Sequence, residues 1–299
     1  MNQQALQIIP KAEVLVEALP YMRAFAGKYF VIKYGGQAMV SPELMESVIL
    51  DLVLLKYIGV KPVLVHGGGK EVNQVMAKLG KEPNFINGLR VTDDETMDIV
   101  EMVLNGKVNQ KIVSLFNQHG GKAVGLSGRD AEIIQARRKD RQKVKGDSSA
   151  ETVDLGRVGE IIQVNPALIH TVSENGYIPV VSSIGSGLNG ESLNINADHV
   201  AGELAVSLKA EKLIVLTDVD GIYRDRGGKK EFISSITRLE ARGMIMNGEI
   251  SGGMIPKIDS CLMALDGGVR RTHIVDGRVP HSLILEIFTD EGIGTMVTQ

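Results

Sequence analysis

The 299-residue chain has a single cysteine, Cys261, which excludes an intrachain disulfide and any metal site built from several thiolates. Cys261 shares a helical stripe with Ile258, Leu262 and Leu265, so it reads as a core residue rather than a reactive thiol. No apolar run is long enough to span a bilayer. The N-terminal stretch MNQQALQIIPKAEVLVEALPYMRAFAG also lacks the basic start and continuous apolar centre of a signal peptide. A cytoplasmic location without a membrane partner is therefore the expectation. An excess of positive charge is missing too. The net charge is −3, and the basic cluster RRKDRQKVK, Arg137 to Lys145, is broken by Asp140 and reads as a solvated loop or hairpin. A nucleic-acid surface is not expected.

Two well-known catalytic signatures are absent. Gly69-Lys70 is followed by Glu71, so the hydroxyl required by G-x-x-x-x-G-K-[ST] is missing, which argues against a standard P-loop NTPase. His66-Gly67-Gly68-Gly69 has the look of an esterase oxyanion turn, but no G-x-S-x-G nucleophile elbow accompanies it. GSGLNG, Gly185 to Gly190, has the spacing of a dinucleotide fingerprint. Polar ESLNIN follows it, however, where a helix should open, and Asp218 and Asp220 come too late for the ribose acid, which disfavours a dehydrogenase.

Glycine turns after apolar strands are plentiful. FVIKYGGQAM, Phe30 to Met39, runs as a buried strand, then places Lys33 near its C-terminal end and removes two side chains at Gly35 and Gly36. PVLVHGGGKEVNQVM, Pro62 to Met76, repeats the arrangement with three glycines ahead of a helix. Lysine beside exposed backbone N–H groups suits a phosphate, and two such turns at one sheet edge make a cradle.

Candidate strands recur as VIKY, PVLVH, AVGLSG, IPVVSSI, LIVLTDVDG and THIVDG, with helical patterns between most of them. That alternation predicts an α/β fold with a largely parallel sheet covered on both faces. A capping box, Thr92-Asp93-Asp94-Glu95, opens a helix predicted to run to about Phe116. The polar stretch from Lys139 to Gly159 reads as an excursion of hairpins, and SSIGSGLNGES, Ser182 to Ser192, as a junction between two lobes. Ahead of the first strand, a helix between Pro10 and Pro20 offers Val14, Leu15, Ala18 and Leu19 for packing, either on this domain or on another subunit.

The polar residues that remain form a constellation. Asn194, Asn196 and Asp198 alternate on the approach to a helix, which puts them on one side; plain N-capping is the other reading. Lys257 follows Pro256 in the first turn of another helix, where a cation is misplaced against the dipole unless an anion sits nearby. Arg90, in NGLRVT, offers a guanidinium fork for a carboxylate or for a structural ion pair. Two lysines, N–H donors, one acid and an arginine with no evident base suit phosphoryl transfer to a carboxylate, which is ionised at neutral pH and needs no base.

In order along the chain, VIKYGGQAM, VLVHGGGKEVN, NGLRVTDDETMDIVEMVL, PVVSSIGSGLNGESLNINAD, LIVLTDVDGIY and GGMIPKIDSCLMALDGGV resemble the amino acid kinase family. NGLRVT with NINAD is similar to the members that phosphorylate N-acetyl-L-glutamate. Lys70 departs from the proline expected there in many relatives. The resemblance implies a three-layer αβα sandwich of two lobes with an N-terminal extension helix. Residues 1–27 would serve oligomerisation, 28–185 would bind acetylglutamate and 186–299 would bind ATP with Mg2+. It implies catalytic Lys33, Lys257 and Asp198; Gly68, Gly69, Arg90, Asn194 and Asn196 at the substrate; and Gly35, Gly36, Thr217, Asp218 and Gly221 at the nucleotide. It further implies a homohexamer inhibited by arginine in arginine biosynthesis, with Tyr21, Glu286, Gly292 and Gly294 at the inhibitor. A PII signalling protein is a conceivable further partner to which no residue points. The competing expectations are a kinase of free glutamate or aspartate and a noncatalytic sensor. Retention of both lysines and the aspartate argues against the sensor.

Overall fold

The six strands read from the sequence lie in one eight-stranded sheet of a computed structural model that describes residues 13, 15–39, 41–143, 152–226 and 229–299. Across the sheet the strands run Ser235–Thr237, Thr295–Thr298, Arg271–Asp276, Lys212–Thr217, Tyr29–Tyr34, Lys61–His66, Ile178–Ser182 and Ala123–Ser127. All neighbours are parallel except Arg271–Asp276 and Thr295–Thr298. The chain moves from Tyr29–Tyr34 to one side, then returns to its other side with Lys212–Thr217. That reversal lies at the Lys33 strand, and the carboxyl edge at such a reversal is where open α/β sheets bind ligands.

Two apolar layers cover the sheet. Phe30, Ile32 and Tyr34 face one layer with Ile49, Leu52 and Leu55 of helix Pro42–Tyr57. Val31 faces the other with Val200 and Leu204 of helix Ala197–Ser207 and with Ile258, Cys261 and Leu265 of helix Ile255–Asp266. Cys261 is fully buried, and burial pushes its thiol up to about 12, so it is an inert core group. No described helix is long and apolar enough to cross a membrane.

The helix after Thr92 departs from expectation in detail. The cap of the helix after Thr92 is Asp93, whose carboxylate accepts from Thr96 N; the Thr92 hydroxyl donates instead to the Arg90 carbonyl. That helix runs past Phe116 to Gln118, but through a π-helical stretch, Met102–Asn109. The glycine-serine stretch read as a junction forms a hairpin, Ile184–Ser186 against Ser192–Asn194, within a second sheet that includes Ile134–Arg138 and Gly159–Val164. Short strands Gln142–Lys143 and Thr152–Val153 pair as the polar excursion suggested, with 144–151 outside the described residues. Most of the helix read between Pro10 and Pro20 also lies outside them. Its described end shows exposed Leu15 and Val16 leading into helix Leu19–Phe25.

Candidate active site

Side chains alternate along a strand, so Lys33 shares a face with Tyr29 and Val31. That face packs on helix Ala197–Ser207 and brings the Lys33 Nζ to 3.0 Å from Asp198 Oδ1, with both side chains nearly buried. A Cβ at Gly35 would stand 3.1 Å from the Lys33 Nζ, tighter than most real Cβ contacts, so the ammonium would have to shift by a few tenths of an ångström. Gly35, two residues after Lys33 and just past the strand end, therefore leaves room for the ammonium.

Asp198 sits in the first turn of its helix, where the Asn196 side-chain oxygen accepts from Asp198 N at 2.8 Å and His199 N at 3.3 Å. Asn196 is therefore the N-cap. Burial pushes the Asp198 carboxyl upward, but the charges of Lys33 and Lys257, with the Lys33 hydrogen bond and His199, leave it below the usual range. Lys257 donates to the Gly253 carbonyl at 3.2 Å from the neighbouring helix start, and the Ser260 hydroxyl donates to the Asp198 carbonyl. The structure thus places both lysines in the electrostatic field of one carboxylate.

The glycine turn after Lys61–His66 lines a cleft of about 190 Å³ with Arg90, Asn194 and Asn196. Gly68 caps helix Gly69–Lys78, and a Cβ there would come within 2.7 Å of Leu104 and 3.2 Å of Val108. Leu104 and Val108, four residues apart on the π-helical stretch, lie beneath it on one face. Arg90 is 7% exposed and donates to the Gly69 carbonyl, Asn73 Oδ1 and Met76 Sδ, while its guanidinium lies over the Phe85 ring. These partners are all neutral, and no carboxylate among the described residues pairs with it. Burial lowers its pKa. Asn194 Nδ2 donates to the Thr92 hydroxyl at 3.2 Å.

The remaining residues are less tightly gathered. Gly36 opens the turn Gly36–Met39 in the left-handed region, at φ +72°. Thr217 is buried at the end of its strand, with its carbonyl accepting from Gly277 N, and Asp218 beside it is exposed. Gly221 lines a separate hollow of about 440 Å³ with Tyr223, Ile250, Ser251 and Met254, which Thr217 and Asp218 do not line.

Tyr21, Glu286, Gly292 and Gly294 do meet, around a pocket of about 280 Å³ that also takes in Lys212, Arg271 and Asp290. The Tyr21 hydroxyl donates to Asp290. Glu286 accepts from Ile293 N and Gly294 N at 2.8 Å each and contacts His273 Nδ1 at 2.6 Å, and His273 Nε2 meets Lys212 Nζ at 2.9 Å. Burial lowers the Lys212 pKa to about 8.

Sequence reasoning passed over Asn73, which holds Arg90, and the buried pair His66 and Asn109 beneath the glycine turn. Asn73 lies four residues after Gly69 on the helix that the glycines open, a spacing that could have flagged it. Nothing local marks Asn109.

A largely parallel sheet that presents a buried ammonium, Lys33, and glycine-turn amides at one edge defines the class: a phosphotransferase for small molecules. The chain belongs to the amino acid kinase family, whose model matches residues 28–276. Acetylglutamate kinase of Pelotomaculum thermopropionicum is 57% identical over 287 residues, 96% of this chain and 97% of the relative. Acetylglutamate kinase of Methanocaldococcus jannaschii is 54% identical over 300 residues, the whole length of both. Among solved structures, N-acetylglutamate synthase from Neisseria gonorrhoeae complexed with coenzyme A and N-acetyl-glutamate has a TM-score of 0.83 at 26% identity. It is matched by 96% of this chain, which spans 63% of the synthase chain. Giardia carbamate kinase, at 17% identity and TM-score 0.66 over 91% of this chain and 99% of that one, shares the fold.

Proposed function

We propose that the chain transfers the γ-phosphoryl group of MgATP to the side-chain carboxylate of N-acetyl-L-glutamate. One carboxylate oxygen bonds to the γ-phosphorus, the bond from that phosphorus to the β,γ-bridging oxygen breaks, and the products are an acyl phosphate and ADP. The observation that carries this reading is Arg90, a buried cation lining the glycine cleft with only neutral partners. Such a group calls for an anion, and its fork fits the α-carboxylate of the acceptor. The names of the full-length relatives support the same substrate.

In this mechanism Arg90 and Asn194 hold the α-carboxylate, with Asn196 beside them. Lys33 and Lys257 neutralise charge on the moving phosphoryl group, and Asp198 keeps their ammonium groups in place. Backbone N–H groups at Gly36, Gly68 and Gly69 bind phosphoryl and acceptor oxygens. The acceptor carboxylate is already ionised, so no base is needed. Gly35 gives Lys33 room, while Thr217, Asp218 and Gly221 border the nucleotide. Residues 28–185 then form the acceptor half and 186–299 the nucleotide half. No group of three or more His, Cys, Asp or Glu among the described residues is arranged for a metal ion. Mg2+ belongs to the MgATP substrate, held by phosphate oxygens and water.

A regulatory reading rests on the separate pocket around Tyr21 and Glu286. Arginine suits it, because Asp290 offers a carboxylate to a guanidinium while Lys212 and Arg271 offer cations to an α-carboxylate. Exposed Leu15, Val16 and Leu19 favour a helix that docks on another subunit in a hexamer, with arginine acting as a feedback inhibitor of arginine biosynthesis in the cytoplasm.

The test is ATP-dependent acyl phosphate formation trapped with hydroxylamine, with N-acetylglutamate, glutamate and aspartate in parallel and arginine present or absent. Product from N-acetylglutamate alone, suppressed by arginine, is expected. Product only from a free amino acid overturns the substrate assignment. Loss of residues 1–25 with arginine sensitivity intact overturns the regulatory one.

A further inference from the structure

Resting on the phosphoryl-transfer reading above, we infer that His66 is a positioning residue: its Nδ1–H fixes the peptide between Gly67 and Gly68 so that the Gly68 N–H is aimed into the cleft.

His66 ends the strand Lys61–His66 and is completely buried. Its Nδ1 lies 2.9 Å from the Gly67 carbonyl oxygen, which can only accept, so Nδ1 carries the hydrogen. Its Nε2 lies 3.0 Å from Asn109 Nδ2. The same Asn109 nitrogen lies 2.9 Å from the Val180 carbonyl oxygen, which requires a donor and so fixes the orientation of the amide. One amide hydrogen goes to Val180; the other points to Nε2 at 3.0 Å, nearer than the Leu126 carbonyl at 3.5 Å, and because the amide nitrogen can only donate, Nε2 is the acceptor. The ring is thereby locked as the neutral Nδ1–H tautomer, and its burial, which lowers its pKa to about 4, keeps it neutral.

The geometric consequence falls on the next peptide. Every described peptide bond is trans, and in a trans peptide the C=O and N–H point in opposite directions. Pinning the Gly67 carbonyl to the buried ring turns the Gly68 N–H the other way, toward the side where Gly67, Gly68 and Gly69 line the cleft. Among the described residues that N–H has no hydrogen-bond partner. Gly68 itself rests on Leu104 and Val108 of the π-helix that also carries Asn109, so one element supports both the glycine and the ring that orients it. A buried imidazole is a costly core filler compared with an aliphatic side chain, and setting a peptide plane gives it a role.

The test begins with the ¹⁵N NMR signature of the His66 ring in the wild-type protein. Protonated Nδ1 and bare Nε2 are expected from about pH 5.5 to 8. Kinetics then follow for His66→Asn, whose amide nitrogen takes the place of Nδ1, and for His66→Gln, whose amide nitrogen takes the place of Nε2. The Asn variant should keep kcat within about threefold of wild type. The Gln variant should lose about 100-fold in kcat, the scale of one oxyanion donor, with the KM for N-acetylglutamate changed by less than about threefold. An Nε2–H ring, a folded Gln variant with wild-type kcat, or an Asn variant as impaired as the Gln variant overturns the inference. If wild-type enzyme acts on a different carboxylate, the substrate assignment fails while the same series, run on that acid, still decides the role of His66. If it phosphorylates none, the reading on which the inference rests is gone, and the NMR result alone decides the ring geometry.

Discussion

The Lys33 Nζ and Asp198 Oδ1 stand 3.0 Å apart, nearly excluded from solvent, where the central strand of the sheet meets the start of helix Ala197–Ser207. A buried ion pair contributes little net stability, because desolvation offsets most of its attraction. What such a pair does supply is a cation held in one place before the substrate arrives. Replacing Lys33→Ala should cut kcat by at least about 100-fold and change the KM for N-acetylglutamate much less. Steady-state kinetics check this, and an unchanged kcat removes Lys33 from the mechanism.

Asp198 acts through the lysines, so its loss should not simply add to theirs. Asp198→Asn leaves the Lys33 ammonium buried without its carboxylate, and kcat should fall by roughly 100-fold. Combined with Lys33→Met in a double-mutant cycle, the transition-state coupling energy should exceed about 1 kcal/mol. Additive losses would mean that the two residues work independently.

Arg90 donates to three neutral acceptors and lies over Phe85, which leaves its charge to be met by a ligand. Arg90→Lys keeps the charge but loses the planar fork. The KM for N-acetylglutamate should rise about tenfold or more, with a smaller change in kcat and almost none in the KM for ATP. A rise confined to ATP would move Arg90 to the other substrate.

Two buried groups give the folded chain opposing pH dependences. The His66 pKa is lowered to about 4 by burial, so below about pH 6.5 the unfolded chain takes a proton that the folded chain refuses. Stability should therefore fall from about pH 6.5 to 4, by about 3 kcal/mol from this group. Asp51 acts in the other direction. Burial raises its pKa to about 6 despite a 2.7 Å contact with His281, so ionisation in the folded state costs stability as pH rises from about 4 to 6. Denaturant midpoints of wild type and His66→Asn across this range separate the two. Relative to His66→Asn, the wild type should lose stability as the pH falls, and a pH-independent difference would rule out the histidine contribution.

Tyr21 reaches from helix Leu19–Phe25 to Asp290, on the rim of the pocket that holds Glu286. Tyr21→Phe removes a hydrogen bond to a charged partner and should raise the arginine concentration for half inhibition about tenfold, with the uninhibited rate unchanged. Inhibition identical to wild type would place arginine elsewhere.

The order of residues was enough to show the six main strands, their helices and the two glycine turns, because apolar spacing within one element reports directly which of its faces is buried. It also made Lys33, Lys257 and Arg90 stand out as charges at a strand end, a helix start and a turn, whereas Asp198 read equally well as a helix cap. The shift of the cap from Thr92 to Asp93 and the π-helical stretch Met102–Asn109 were not legible. Both depend on partners from other parts of the chain: Thr92 is drawn to Arg90 and Asn194, and the π-helix is pressed between Gly68 and the sheet. Only the tertiary structure decided that Lys33 meets Asp198, that Arg90 goes without a carboxylate, and that His66 with Asn109 underlies the glycine turn. Periodicity determines what a residue does within its own helix or strand, but sheet order and helix packing determine which distant side chain it meets, and no local spacing encodes that distance.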